Sequence, residues 1–411
     1  MSKYFDDLET RSADERKSAL ATRLPQQIAH AKSNTAYFAE SLKSVDAAAI
    51  TSVAALAALP VVRKSDLIEL QKTRRPFGGL AASHWGQLGR VFSSPGQIYE
   101  PEGRVADYWR TARALHAAGF RAGDLVHNSF SYHMTPGAWI LEAGAHALGC
   151  TVFPAGVGQT EQQVAAMADL APNGYVGTPS FLRILLEKAD ELGIKLPSLT
   201  KALVSGEAFL PPVRDALLAR GVVGYQAYAT AELGVIAYET EARQGLIIDE
   251  GVIVEIVRPG TGDPVAEGEV GEVVVTTFNT DYPLIRFGTG DLSAVLPGIS
   301  PCGRTNMRIK GWMGRADQTT KIKGMFVHPE QVAAVIKRHP AIARARLVVT
   351  NPDSTDQMTL NCEVGKVEAG METAIAESVR DITKLRADVR LSALGSLPND
   401  GKVIEDSRRY D

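Results

Sequence analysis

Gly314-Arg315-Ala316-Asp317, followed shortly by Lys321-Ile322-Lys323-Gly324, decides the reading of this chain. It sits where a large domain should end and a small one begin, with a long α/β-patterned region before it and a short α+β-patterned region after it. A chain of 411 residues exceeds the size at which one core keeps growing, so two domains are expected. They are a large domain at 1–316, whose first sixty residues form a helical arm, and a small lid-like domain at 317–411.

Hydrophobic residues make up 45% and charged residues 22%, the usage of an ordinary globular protein. A net charge of -3 gives no general attraction for nucleic acid or an anionic membrane. Cys150, Cys302 and Cys362 are scattered, without a CxxC pair, so neither a disulfide framework nor a zinc site is indicated. The acidic start, Tyr4-Phe5-Asp6-Asp7, lacks an export signal's apolar stretch, and no apolar run reaches the ~20 residues of a membrane span. A soluble cytoplasmic protein with small-molecule partners, no nucleic acid and no membrane is the expectation.

In the arm, Leu20, Leu24 and Ile28 recur at helical spacing up to Leu59-Pro60. From Leu125 short apolar runs alternate with helical patterns, which implies parallel strands joined by crossover helices. Leu125 to Asn128, Tyr175 to Gly177 and Lys201 to Val204 read as strands, and Thr178-Pro179 as a helix N-cap and N1 proline. Thr160 with Gln163 reads as a capping box. Val252 to Val257 and Gly271 to Thr277, with a turn-rich Pro259 to Pro264 between them, read as an antiparallel sub-barrel. Past Asp317 the pattern is a basic strand, a helix at 329–338, strands Ala345 to Thr350 and Met358 to Val364, and another helix.

Several segments carry candidate chemistry. Phe287-Gly288-Thr289-Gly290-Asp291 places a carboxylate after a glycine-flanked turn, which allows close approach to a ligand and capture of ribose hydroxyls. Arg315 offers a bidentate guanidinium suited to phosphate. Gly401-Lys402 ends a turn-forming approach with one cation near the C-terminus. Tyr228-Ala229-Thr230-Ala231-Glu232 follows an apolar strand, Gly221 to Ala227, and Ser205-Gly206-Glu207 follows Val204; strand carboxyl ends are where open α/β sheets bind ligands. Ser93-Ser94-Pro95-Gly96-Gln97-Ile98-Tyr99-Glu100-Pro101 holds two serines, a glycine and a closing proline, and Pro95 removes one backbone amide donor from it. Phe130, Tyr132 and His133 bring rings into the loop after Asn128, suited to a flat apolar group.

In order and spacing these motifs resemble the adenylate-forming superfamily, closest to phenylacetate-CoA ligases, over essentially the whole chain. The resemblance implies ATP-dependent activation of an aromatic or arylacetic carboxylic acid through an acyl-adenylate, then thioester formation with coenzyme A. It implies Asp291 on the ribose, Arg315 on phosphate, Lys402 bridging the acid's carboxylate and the α-phosphate, and Asp317 as hinge. Tyr228 with Ala229 and Thr230 would lie along adenine, beside Gly206 and Glu207. Glu232 would hold Mg2+, and Ser93, Ser94 and Gly96 would wrap the phosphates. The pattern departs from the family at Ala231, where a hydroxyl is expected, and in the phosphate loop, which lacks the threonines and the lysine. Transfer of the adenylate to an amine or carrier protein, or a turnover-deficient nucleotide or acyl-CoA binder, stay open on the residues. Relatives are often dimers, so a homodimer accords with the resemblance.

Overall fold

The computed structural model describes residues 2–94, 97–316, 320–322, 325–352 and 356–408. Two compact units emerge: one of 1–254, 275–287 and 296–312, the other of 255–274, 288–295 and 313–411. Three strands, Val252–Val257, Gly271–Thr277 and Phe287–Ser293, pass through the division, so each unit holds part of every one.

The first unit is built on a mixed sheet. Thr151–Pro154, Leu125–Asn128, Gly174–Gly177, Lys201–Val204 and Val223–Thr230 lie side by side in that order, each pair parallel. Numbered by chain position, that is a 2-1-3-4-5 order, which puts the topological switch point between Leu125–Asn128 and Gly174–Gly177. Antiparallel pairing then extends the sheet through Gly234–Tyr238, Leu246–Ile248 and Arg308–Ile309. Crossover helices cover the parallel part because their apolar stripes face it. In the helix Pro179–Glu191, Leu182, Leu185, Leu186 and Ala189 are buried, Thr178 accepts from the Phe181 amide, and Pro179 sits at N1. The N-terminal arm is helical, led by Ala13–Asn34 with Leu24 and Ile28 fully buried.

Three local readings are corrected. Thr160 is the first residue of its helix and makes no capping box; Gln159 precedes it in a left-handed conformation. Gln163 instead donates to the Gly156 and Gly158 carbonyls at 2.9 and 2.7 Å and meets His127 Nε2 at 2.8 Å, because a buried amide takes the partners burial leaves it. The strand read as Gly221 to Ala227 is Val223–Thr230, so Tyr228 to Thr230 are its last residues rather than a following loop. Phe287 to Asp291 likewise lie inside a strand, with only Gly290 in the left-handed region, at φ 73°.

In the second unit a four-stranded sheet runs Asp388–Ser392, Gln357–Val364, Ile342–Thr350, Ile404–Asp406. The helices Pro329–Arg338 and Met371–Thr383 contribute Val332, Val335, Ile375 and Val379 to a core shared with Leu347, Val349 and Leu360. The expected helix limits at 329 and 338 are those observed. Among the described residues no helix is long and apolar enough to cross a membrane.

Candidate active site

The carboxyl ends of the parallel strands in the first unit gather one set of predicted residues. Ser129 to Pro136 leave the strand Leu125–Asn128 at the switch point, and Asn128 Oδ1 accepts from the Phe130 amide at 3.1 Å. Gly206 has φ 84°, and a methyl group there would stand 3.4 Å from the Phe130 ring and 3.6 Å from Thr178. Three strand ends therefore meet at one spot. Glu207 accepts from the Ser180 amide at 2.7 Å, so it also caps the helix that starts at Pro179. Tyr132 is turned inward: its hydroxyl donates to Glu142 at 2.6 Å and accepts from Asn128 Nδ2 at 2.9 Å, and its ring meets Trp139 edge-on. His133 is exposed.

Ser93 and Ser94 end the strand Arg90–Ser94, which forms a tight hairpin with Ile98–Glu102. The Ser93 amide donates to the Met134 carbonyl at 2.9 Å, tying this hairpin to the ring-bearing loop. Ser94 is buried and donates to Glu100 at 2.5 Å. Gly96 and its neighbour Pro95 lie outside the described residues, as do Asp317, Lys323 and Gly324.

Tyr228, Ala229 and Thr230 close their strand with a register shift between Tyr228 and Ala229, and Glu232 sits in the turn to Gly234–Tyr238. The Glu232 side chain is fully enclosed, with Oε1 at 2.8 Å from Lys64 Nζ. Its Oε2 has no hydrogen-bond partner among the described residues. A buried carboxylate with a spare oxygen suits a hard cation whose other ligands are phosphates and water, so the site fits a magnesium ion. Among the described residues no cluster of three or more metal-binding side chains exists, so protein ligands alone would not hold one.

Lys64 and Glu100 stand beside these candidate residues, a placement that single motifs did not announce. Burial pushes the fully enclosed Glu100 carboxyl up to about 8, with the nearby Glu232 charge adding to the rise and the Ser94 hydroxyl opposing it. Tyr282, also buried and influenced by both carboxylates, is raised well above the usual phenol range, again first by burial. The folded protein thus holds a proton on Glu100 that the unfolded chain releases above about pH 4.5. Its stabilisation is complete below that pH and is lost as pH rises through about 8. Glu100→Gln keeps an acceptor for Ser94 and cannot ionise. Urea unfolding of this variant is expected to lose the decline between pH 5 and 8, with the variant more stable than wild type at pH 8.5 by about 2 to 4 kcal/mol. Equal pH slopes for the two proteins would show that Glu100 is ionised throughout.

The other predicted residues lie in the second unit. Asp291 and Arg315 form an antiparallel bridge, and their side chains pair at 3.1 Å, with Arg315 half exposed and Asp291 nearly buried. The Leu292 amide donates to the Gly314 carbonyl and the Ala316 amide to the Gly290 carbonyl, which fixes that register. Lys402 is exposed, on a loop held by Arg346. The buried Arg346 guanidinium donates to the Lys402 carbonyl at 3.1 Å and the Pro398 carbonyl at 3.2 Å, and pairs with Asp400 and Glu405. Gly401, at φ 72°, lies so close to Val270 that a methyl group would stand 2.7 Å from it. The lysine's backbone is thereby fixed while its amine stays accessible.

A mixed sheet whose strand ends gather glycines, rings and an enclosed carboxylate lies largely within residues 107–280, which a family model for AMP-binding enzymes matches. Phenylacetate-coenzyme A ligase of Thermus thermophilus is 31% identical over 95% of this chain and 90% of its own. The enzyme of that name from Aromatoleum evansii is 31% identical over 88% of this chain and 84% of its own. A crystal structure of an open 2-hydroxyisobutyryl-CoA ligase, in complex with its acyl-adenylate and CoA, matches with a TM-score of 0.74 at 27% identity, covering 97% of this chain and 92% of that one. The chain belongs to the phenylacetate-coenzyme A ligase family of AMP-forming acid–thiol ligases.

Proposed function

We propose that the chain activates an aromatic or arylacetic acid with ATP and passes the acyl group to coenzyme A. The observation that carries this reading is the whole-length likeness to phenylacetate-coenzyme A ligases. The ring-bearing loop at the switch point agrees with it. A carboxylate resists nucleophiles because of its charge, and adenylation supplies a good leaving group.

In this reading the Phe130 ring, set between strand ends, lines the acyl pocket with Tyr132 and His133. Gly206, Glu207, Tyr228, Ala229 and Thr230 border adenine, and Asp291 holds the ribose once ligand replaces its pairing with Arg315. Arg315 then turns to phosphate, with Ser93, Ser94 and Gly96 near the β- and γ-phosphates. Glu232 would hold the magnesium ion, which supplies charge neutralisation on the phosphates when bound; Lys64 provides a fixed ammonium at the same carboxylate. Residues 317–411 act as a lid that turns about Asp317 between adenylation, which needs Lys402, and thioester formation. The enzyme works in the cytoplasm.

A pyrophosphate-release screen against aromatic and short aliphatic acids, with and without coenzyme A, tests the assignment. Aromatic acids are expected to give pyrophosphate, and thioester only with coenzyme A. Adenylate formation indifferent to coenzyme A would move the acceptor to an amine or carrier protein. Saturable ATP binding with no pyrophosphate for any acid would leave a binder without turnover.

A further inference from the structure

In the first unit a cavity of about 200 Å³ opens between the arm helix Ala13–Asn34 and the strand segment 252–254. None of the candidate nucleotide or acyl residues lines it. Its wall is apolar, with Leu20, Val53, Ile253, Val254, Phe278 and Met307. An apolar cavity of about 150 Å³ is large enough to take benzene, so this one has room for a ring or a branched chain.

The polar groups at this cavity are unbalanced. Arg11, Arg16 and Arg23 face a single carboxylate, Glu250, which is nearly buried. Arg11 and Arg16 both pair with the same Glu250 oxygen, and the buried Arg16 Nε has no hydrogen-bond partner among the described residues. Arg23 lies over the Phe278 ring, its guanidinium carbon 3.9 Å from the centroid. Burial holds the Arg23 pKa below the ordinary guanidinium range; the Arg11 charge adds to that, and the Glu250 and Asp249 charges oppose it. A guanidinium stacked by its face keeps its N–H edge for a carboxylate.

We propose that this cavity is a second ligand site, which binds a small apolar monocarboxylate with its hydrocarbon body against Leu20, Ile253 and Phe278 and its carboxylate on Arg23. The occupant joins the arm helix to the strand beneath it. A neutral isostere lacks the charge the site needs.

Met307 lines the cavity and supplies a local reporter, independent of turnover. The full chain is labelled with 13C at its methionine methyl groups, and the Met307 resonance is assigned from Met307→Leu. Titration with phenylacetate is expected to shift that resonance saturably through the ring current. Arg23→Gln should weaken the binding at least about tenfold, as expected for losing a charged hydrogen-bond partner. Leu20→Trp, which fills the cavity, should abolish the shift, and phenylacetamide should bind at least about tenfold more weakly. No Met307 shift at millimolar phenylacetate overturns the proposal, and so does an equal shift in folded Arg23→Gln or with phenylacetamide. The result is separable from the functional assignment, because the pyrophosphate screen reads a different set of residues.

Discussion

Lys402→Ala is expected to lower acid-dependent pyrophosphate release by about 100- to 1,000-fold, the loss typical of removing one preorganised donor from a developing charge. Negative charge gathers at the α-phosphorus as carboxylate and phosphate approach, and one ammonium bridging both offsets it. The substitution should leave the fold intact. Lys402 is exposed, and its loop is held through the backbone by Arg346, which donates to the Lys402 and Pro398 carbonyls. Thioester formation from preformed acyl-adenylate should stay within a few fold of wild type if, as proposed, the lid has then turned and carried the lysine away. Parallel assays of the two half-reactions, with melting curves as a folding control, check this. Equal losses in both would assign the lysine to folding or substrate entry, and an unchanged pyrophosphate rate would remove it from the chemistry.

The parts legible in the sequence were those set by short-range rules. Thr178-Pro179 opens a helix where an N-cap and N1 proline should, and the strand limits at Leu125–Asn128 and Lys201–Val204 follow from bounded apolar runs. Where tertiary pairing overrides local chemistry, local sequence misleads. The glycines around Thr289 suggest a turn, yet pairing with Gly271–Thr277 and Val62–Arg63, and of 290–292 with 313–316, keeps Phe287–Ser293 extended, and the Thr289 hydroxyl donates to the Val273 carbonyl at 3.0 Å. Thr160 has the sequence of a cap, but Gln163 is taken by His127 of the strand Leu125–Asn128. The long-range partners had no local signal at all. Lys64 meets Glu232, Arg346 meets Asp400 and Glu405, and nothing within a few residues of either basic group announces the encounter. Ion pairs of this kind depend on which loops a fold brings together, and sequence periodicity carries no record of that.

The same holds for Glu9, where the largest expected loss of stability lies. Glu9 and Arg304 are each 1% exposed, and Glu9 Oε1 accepts from Arg304 Nε at 2.6 Å and from the Tyr238 hydroxyl at 2.6 Å. Its other oxygen accepts from the Phe5 amide at 2.6 Å, and its carbonyl from the Thr305 amide at 2.9 Å. One carboxylate therefore fastens the N-terminal strap to the loop that carries Arg304. Glu9→Ala strands a buried guanidinium whose only remaining carboxylate neighbour among the described residues is Glu241, at 3.7 Å. Breaking one partner of a buried pair typically costs about 3 to 5 kcal/mol, because the charge left behind is uncompensated. Replacing both partners removes that orphan, so Glu9→Ala with Arg304→Met should recover a large part of the loss. Urea denaturation of the two single variants and the double variant measures the coupling. Hydrogen exchange at residues 4–11 shows whether the strap comes loose before the core does. A Glu9→Ala midpoint equal to wild type would mean that water, rather than protein, already satisfies Arg304.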